Sequence, residues 1–561
     1  MSKEREFKEL NAFGFYQKRL SLLLLLSTIP SCIISFRFLF TVYEPEFHCD
    51  VPAALSENYT NVTESQYEYL LNATVPWTTN DKQELVRSEC FNYDIPNIDA
   101  LRNESGTGRV VNSTSPCKRW RFAQDGVSAL TELKFVCERA WMKPFSFTAY
   151  AFGQMCGTFA VRPISDIFGR RRVFLTTLVL QYMVCLILSF STSAPMYMSV
   201  VFLTGATDMV YGTAFALGIE TTSTEKRTFI TFCCQMGYSL GFLVLTFLGY
   251  FFRDWRWLLR AFSFTAIFYI PYYWLIDESP RWLSSVGRKE ESQRVLSKIA
   301  KLNKAHNASS HDLTELETNL SGFPKNEKVK SLKFFQLLKL VLKQPVLLKR
   351  LIIVFFAWYC TSLTYYVIGL NPNNLSENRF VNLCLLGLVD MAATVGYYLI
   401  SAKIGRRNSY VFMMLGLALL SAITPFANKL HRLLAVVMVC VCKFTASLLF
   451  TVLYTHTTEL FPTALRQSTL GMSDATARVG SITAPFILFA GDPTRVKTIS
   501  IAIGAVLLVS SALYRLLPKT INVPLPQTID DAVAMGGSDA FCLSCRNTKN
   551  QSNEEDDSIN I

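Results

Sequence analysis

Apolar residues run along this chain in long blocks separated by shorter polar stretches. The blocks lie near 19–41, 145–164, 173–191, 196–219, 229–252, 257–276, 346–370, 380–401, 410–427, 433–455, 470–490 and 496–517. A helix needs about 20 mostly apolar residues to cross a bilayer. The pattern therefore predicts an all-α membrane protein of twelve transmembrane helices, with both termini on one side. The first block follows a charged segment (Lys3, Arg5, Lys8, Lys18 and Arg19) and is too long for the core of a signal peptide, so it is expected to remain as the first helix.

The polar stretches orient the bundle. Arg170–Arg172, Lys226–Arg227, the segment from Arg281 to Arg350, Lys403, Arg406, Arg407 and Arg466 all fall on the side of the N-terminus, which predicts that this side is cytoplasmic. The one large segment opposite, 42–143, is net acidic and carries five glycosylation sequons, at Asn58, Asn61, Asn72, Asn103 and Asn112. It also holds Cys49, Cys90, Cys117 and Cys137. An oxidising compartment allows these four to form two disulfides in any of three pairings.

Composition agrees with a lipid environment. Of 561 residues, 50% are hydrophobic and 17% charged, against about a quarter charged in soluble domains. The net charge of +12 sits in short clusters between apolar blocks, so it reads as topology rather than as a nucleic-acid surface. No nucleophile and base pair, metal cluster or phosphate-binding glycine loop stands out, and the lone Cys542-x-x-Cys545 lacks a second ligand pair. No enzyme activity, cofactor or metal is expected.

A repeat is visible in the loops. Asp166-Ile-Phe-Gly169-Arg170-Arg171-Arg172 after the second block returns as Ala402-Lys-Ile-Gly405-Arg406-Arg407 after the eighth, a shift of 236 positions. Glu220 with Arg227 returns as Glu459 with Arg466, a shift of 239. Two six-helix halves explain both. A glycine permits a tight turn, and the arginines after it can reach carboxylates at neighbouring helix ends and close one mouth of the bundle. Asp166, Gly169, Arg170, Arg171, Glu220, Arg227, Gly405, Arg406, Arg407, Glu459 and Arg466 are the expected gate.

These loop motifs resemble the major facilitator superfamily. Longer strings narrow the resemblance: Glu278-Ser-Pro-Arg-Trp-Leu283, Gly287-Arg288-x-x-Glu291, Thr458-Glu-Leu-Phe-Pro-Thr463 and Ala477-Arg478-Val-Gly480-x-x-Ala484-Pro485 are similar to the organic cation, anion and zwitterion transporters of solute carrier family 22. Phe13-Gly-Phe-Tyr-Gln-Lys-Arg19, Cys117-x-x-Trp120 and Phe135-Val-Cys137-Glu-Arg139 fit the same family, and Asp254-Trp-Arg-Trp-Leu258 is most like its invertebrate members. Arg162, Ile167, Ala402 and Lys519 depart from the family pattern. Val201 stands where many facilitators carry an arginine linked to proton coupling, so facilitated diffusion or exchange is the expected mode.

Ionisable residues inside spans are costly and usually face the bundle interior. They are Arg37, Asp208, Asp390, Lys443, Asp474 and Arg478. Asp474 and Arg478, four apart, share a helix face and can pair. The resemblance implies that Arg478 occupies a position where anion and zwitterion carriers have arginine and several cation carriers have aspartate. Lys443 adds a second positive site, or pairs with Asp208 or Asp390. Trp358, Tyr365 and Tyr366 match the family's aromatic pattern, and Tyr150, Gln154, Gln235 and Tyr238 are candidate polar contacts.

The expected organisation is a cytoplasmic N-terminus (1–18), a first half (19–277) that includes the glycosylated outer loop 42–143, a cytoplasmic linker with amphipathic helices (278–345), a second half (346–517) and a disordered cytoplasmic tail (518–561). The expected function is alternating-access transport of small organic ions across the plasma membrane, leaning to anions or zwitterions such as carnitine-like or amino-acid-derived compounds. An organic cation uniporter and a transporter-like sensor are the alternatives. The partners are the substrate and the bilayer, without nucleic acid, and a monomer suffices.

Overall fold

The structure is a computed structural model that describes residues 14–51, 67–68, 71–72, 74–79, 85–93, 114–123, 126–222, 226–304, 344–370, 378–400, 405–430, 432–489, 493–520, 526 and 529–535. Its long helices are α1 (Phe15–Phe36), α2 (Met142–Phe168), α3 (Arg170–Leu188), α4 (Ala194–Thr207), α5 (Val210–Glu220), α6 (Arg227–Phe251) and α7 (Trp255–Phe264). Two linker helices, α8 (Pro280–Ser285) and α9 (Lys289–Lys304), follow. Then come α10 (Pro345–Leu370), α11 (Arg379–Ile400), α12 (Arg406–Leu430), α13 (Arg432–Leu460), α14 (Thr463–Phe489), α15 (Pro493–Tyr514) and the short α16 (Ile529–Ala534). Among the described residues, nine segments are long and apolar enough to cross a membrane. Neither α2 nor α14 is one of the nine. Their sequences are interrupted by Gln154 and Asp166 in one and by Asp474 and Arg478 in the other, and these two helices pack against each other rather than facing lipid alone.

The helices form two bundles with the same internal pairing. In the first, α1 packs on α6 and α2 on α4; in the second, α10 packs on α14 and α11 on α13. The repeat seen in the loops is thus a repeat of packing. The bundles meet along two seams, α2 with α14 and α6 with α11.

Three features differ from the apolar-block reading. The fourth block is not one helix: α4 ends at Asp208, whose ψ of 61° stops the helical path, and α5 restarts at Val210. A polar side chain held by neighbouring helices can compensate such a break. The sixth block loosens after α7 into a 3₁₀ turn, Thr265–Tyr269, and a short turn at Tyr272–Leu275, because Pro271 between them has no N–H to donate. Within the tail expected to be disordered, α16 is helical and docked: Arg350 of α10 donates to the carbonyls of Ala532 and Met535, each at 2.5 Å. A guanidinium at the carbonyl end of a helix is favourable both as a donor and for the helix dipole.

The amphipathic linker helix α9 buries Leu296, Ile299, Ala300 and Asn303. Asn303 Oδ1 accepts from Tyr16 N at 2.9 Å, and its Nδ2 donates to Gln17 Oε1 at 3.1 Å, so α9 caps the start of α1. Residues 305–343 lie outside the described set.

The large loop is built from three two-stranded antiparallel sheets: β1 (Phe47–Cys49) with β6 (Trp120–Phe122), β2 (Trp77–Thr79) with β3 (Leu85–Arg87), and β4 (Phe91–Tyr93) with β5 (Thr114–Pro116). Of the three possible pairings, the disulfides are Cys49–Cys117 and Cys90–Cys137. Asn72 is exposed, with its Oδ1 accepting from Arg87 at 3.1 Å; Asn58, Asn61, Asn103 and Asn112 lie outside the described residues, as do Cys542 and Cys545. Arg256 of α7 fastens the loop to the bundle. It donates to both carboxylate oxygens of Glu132, at 2.6 and 3.0 Å, and to the carbonyls of Ser189 and Ser191, at 2.7 and 2.5 Å. Those bonds hold the Glu132 carboxyl below the ordinary carboxylate value, against the opposing effect of burial.

Candidate functional site

Close approach of α2 and α4 creates the first part of the site. A Cβ on Gly205 would fall 2.0 Å from the Tyr150 carbonyl, and one on Gly153 would fall 2.1 Å from the Phe202 carbonyl. Only glycines let these backbones touch, and the contact brings Tyr150 and Gln154 to the break at Asp208. The Asp208 carboxylate, 6% exposed, accepts from the Tyr150 hydroxyl at 2.6 Å, from Gln154 Nε2 at 2.9 Å and from Gln181 Nε2 at 3.2 Å. Three helices thus converge on the carboxylate at the end of α4, since Ser35 of α1 also donates to it at 3.4 Å. Arg37 lies beside this cluster. It donates to the Ile34 carbonyl at 2.5 Å and to Thr204 Oγ1 at 2.7 Å, and its guanidinium lies 5.1 Å from the Tyr150 ring centroid.

Arg478 of α14 reaches across the seam from the second bundle. It pairs with Asp474 at 3.3 Å, as their spacing of four predicts, and donates to Gln154 Oε1 at 3.1 Å and to the Tyr366 hydroxyl at 3.4 Å. Gln154 is therefore an amide bridge between a cation of one bundle and a carboxylate of the other. Its oxygen accepts from Arg478 while its nitrogen donates to Asp208.

Lys443 of α13 is wholly buried and lies 3.5 Å from Asp390 of α11, which settles its partner in favour of Asp390 over Asp208. Asp390 also accepts from the Tyr365 hydroxyl at 2.8 Å and from Ser447 Oγ. A shift of 236 carries Gln154 onto Asp390, and a shift of 239 carries Asp208 onto Ser447. The two bundles therefore keep a hydrogen-bonded polar pair at equivalent depth, with the carboxylate on opposite members. Applying the loop shifts to the polar residues within the blocks finds this equivalence in the sequence.

The aromatic candidates surround these groups. Trp358 and Tyr365, seven apart on α10, both contact Phe450, with centroids at 6.0 and 5.2 Å, and Trp358 Nε1 donates to Thr457 at 3.1 Å. Tyr366 stacks on Phe36 at 5.8 Å. Gln235 and Tyr238 of α6 sit one layer away, where Gln235 accepts from Tyr211 at 3.1 Å and Tyr238 meets the Tyr211 ring edge-on at 5.9 Å. Phe36, Gln181 and Ser447 are not among the sequence candidates, because one apolar, amide or hydroxyl side chain among many in the blocks is picked out only by the neighbours that the fold brings to it.

The loop signatures meet at the end of the bundle that carries the start of α1. Arg170 binds Asp166 at 2.5 Å and Glu220 at 3.1 Å, and Arg406 binds Glu459 at 3.3 Å. Glu220 and Glu459 thus each pair with an arginine of the other loop motif. Gly169 has a φ of +104°, and Glu278 Oε1 accepts from Arg171 N at 3.0 Å. Trp282 Nε1 donates to the Asp166 carbonyl at 2.8 Å, which ties the linker into the same clamp. In the second bundle Gly405 leads into α12, Arg407 donates to the Leu517 carbonyl at 3.1 Å, and Thr520 Oγ1 donates to Glu459 at 2.6 Å. Arg227 opens α6. Arg466 lies in α14, with its side chain outside the described residues.

Residues 108–529 match the family described as sugar (and other) transporter. The chain is 31% identical to the human organic cation/carnitine transporter 2, over 95% of each protein. It is 30% identical to the organic cation transporter protein of Drosophila melanogaster, over 94% of each. Among solved structures, the proton:xylose symporter XylE bound to 6-bromo-6-deoxy-D-glucose superimposes with a TM-score of 0.57 at 13% identity, covering 90% of this chain and 96% of that one. At that identity the likeness is one of fold.

Proposed function

Since the chain belongs to solute carrier family 22 of the major facilitator superfamily, and so is a multi-pass membrane transporter of organic ions rather than an enzyme, we propose that it carries zwitterions, or anions with a carboxylate, by alternating access. The observation that carries this reading is the Gln154 bridge, which places Arg478 and Asp208 on either side of the seam with one amide between them. A carnitine-like substrate presents both charges. Its carboxylate takes the place of Gln154 Oε1 on Arg478, and its ammonium takes the place of Gln154 Nε2 on Asp208. Charges in a low-dielectric interior are costly without partners, so the bridge satisfies the empty site and the substrate satisfies the occupied one. Human organic cation/carnitine transporter 2 is named for ligands of this kind.

In this reading twelve segments cross the plasma membrane with both termini cytoplasmic. The α2 and α14 helices and the Trp255–Leu275 segment complete the nine apolar spans, and the 42–143 loop is outer and glycosylated. The Arg170 and Arg406 clamps close the cytoplasmic mouth and break when the halves rock apart. Movement follows the substrate gradient or exchange, since Val201 offers no proton-coupling arginine.

The test is uptake of labelled carnitine-like zwitterions, carboxylates and organic cations into proteoliposomes by the wild type and by Arg478→Asp. The variant is expected to lose zwitterion and carboxylate uptake while cations are spared or favoured. An unchanged charge preference removes Arg478 from the site, and saturable binding with no uptake or exchange under any gradient makes the protein a sensor.

A further inference from the structure

The Lys443 ammonium is boxed by rings from three helices. It lies 3.3 Å from the Tyr365 centroid, 5.1 Å from that of Phe242 and 5.7 Å from that of Phe36. Among the described residues its fully buried Nζ has no close hydrogen bond, and its one anionic partner is Asp390, paired at 3.5 Å. A lysine whose purpose was to neutralise Asp390 would bring its donors to the carboxylate. This one stays at the outer edge of ion-pair distance from Asp390 and centres its charge on ring faces, while Tyr365 and Ser447 supply the close hydrogen bonds to the carboxylate. Rings around a desolvated positive charge, with a carboxylate at the back, are the chemistry that recognises an alkylammonium ion.

The box adjoins the site already described. Phe36, one of its walls, stacks on Tyr366, and the Tyr366 hydroxyl accepts from Arg478. The box also spans the two bundles: Phe36 and Phe242 come from α1 and α6, Tyr365 and Lys443 from α10 and α13.

We propose that Phe36, Phe242, Tyr365 and Asp390 form an alkylammonium subsite, and that Lys443 is a tethered cation that fills it and thereby excludes free monovalent organic cations. Lys443 is then a specificity determinant: the chain accepts substrates that use Arg478 and Asp208, and a lone ammonium finds its best pocket taken. Removing the lysine side chain opens a cavity of butylammonium length with the carboxylate and rings still in place. The inference rests on the transport reading for its role in selectivity, but binding of the ammonium tests it separately.

The experiment measures protection of purified protein against thermal unfolding by n-butylammonium and tetramethylammonium, with sodium as the control, for the wild type, Lys443→Ala and the double variant Lys443→Ala with Asp390→Asn. The single variant is expected to bind n-butylammonium about tenfold or more tightly than the wild type does, the order expected of desolvated cation–ring contacts, and the double variant is expected to lose most of that gain. Should the single variant fold only when n-butylammonium is present, that rescue supports the same conclusion. Equal protection of all three proteins, or no rescue and no binding by the single variant, overturns it. Wild-type zwitterion uptake measured in parallel separates the two ideas, because its absence fails the transport reading while leaving the ammonium-binding result to stand or fall alone.

Discussion

Arg478 divides its donors among Asp474, Gln154 and Tyr366, so its charge is shared but not cancelled. Arg478→Gln keeps an amide able to reach Gln154 and removes the charge. Hydrogen bonds to charged groups contribute about 1.5–3 kcal/mol, so uptake of carboxylate substrates is expected to fall by about 10- to 100-fold in kcat/KM. Folding, read by melting temperature, is expected to change less than uptake, because the substituted amide can still donate to Asp474, which is buried in the middle of α14. A fall in melting temperature large enough to account for the lost uptake would make the Asp474–Arg478 pair structural. Gly169 gives the opposite kind of prediction. Its φ of +104° is one that side chains rarely adopt, and an added Cβ would lie 2.4 Å from Glu278 Oε2. Gly169→Ala is expected to cost about 1–3 kcal/mol, seen as a lower melting temperature, and to loosen the cap that Glu278 places on α3. An unshifted melting temperature would mean that the α2–α3 turn relaxes freely.

The two clamps are built from the same element pairs and differ in what fastens them. In the first, Arg170 joins the end of α2 to the end of α5, and Glu278 and Trp282 fasten the linker to the same turn. In the second, Lys519 stands where the first bundle has Glu278, a shift of 241, so that position carries a cation in place of a carboxylate, and Thr520 binds Glu459. Arg170→Gln is therefore expected to open the mouth more than Arg406→Gln. The measure is maleimide labelling of a Tyr454→Cys reporter, which sits against Trp358 at 4.7 Å, in vesicles exposing that face. Labelling should rise severalfold in the first variant and less in the second, and equal rates would show that the clamps are equivalent. This level of organisation was readable in the sequence because a bilayer leaves the backbone few options, so apolar length and loop charge report helices and their order directly. The break at Asp208 was not readable. An aspartate within an apolar block can sit in an intact helix or end one, and the choice is made by Tyr150, Gln154 and Gln181 from other helices. The docking of α16 was hidden for the same reason, since its partner Arg350 lies more than a hundred residues away.

At the scale of the whole molecule, the loop of sheets and disulfides is joined to the bundle by buried apolar residues such as Leu130 and Phe135 together with ionic and hydrogen-bonded contacts, and the ionic contacts respond to acid. Glu132 has a carboxyl held below its ordinary value by Arg256 and by Trp255 Nε1 at 3.0 Å. A depressed carboxylate contributes its stabilisation fully above the unfolded value, about 4.3 for glutamate, and loses it as the pH falls through the lower folded value. The anchor is thus complete at neutral pH and fails only in strong acid. As it fails, Arg256 keeps its carbonyl acceptors at Ser189 and Ser191, so the helix start remains in place while the Ala129–Leu133 turn is released from it. Limited proteolysis by an acid-active protease is expected to leave the segment joining the loop to α2 protected at pH values near and above that of free glutamate, and to cut it increasingly below. Glu132→Gln removes the titrating group, so its cutting rate should be higher at neutral pH and flat across the same range. A wild-type profile as flat as that of the variant would place the anchoring of the loop in the Ser128 and Tyr43 contacts rather than in the Glu132–Arg256 pair.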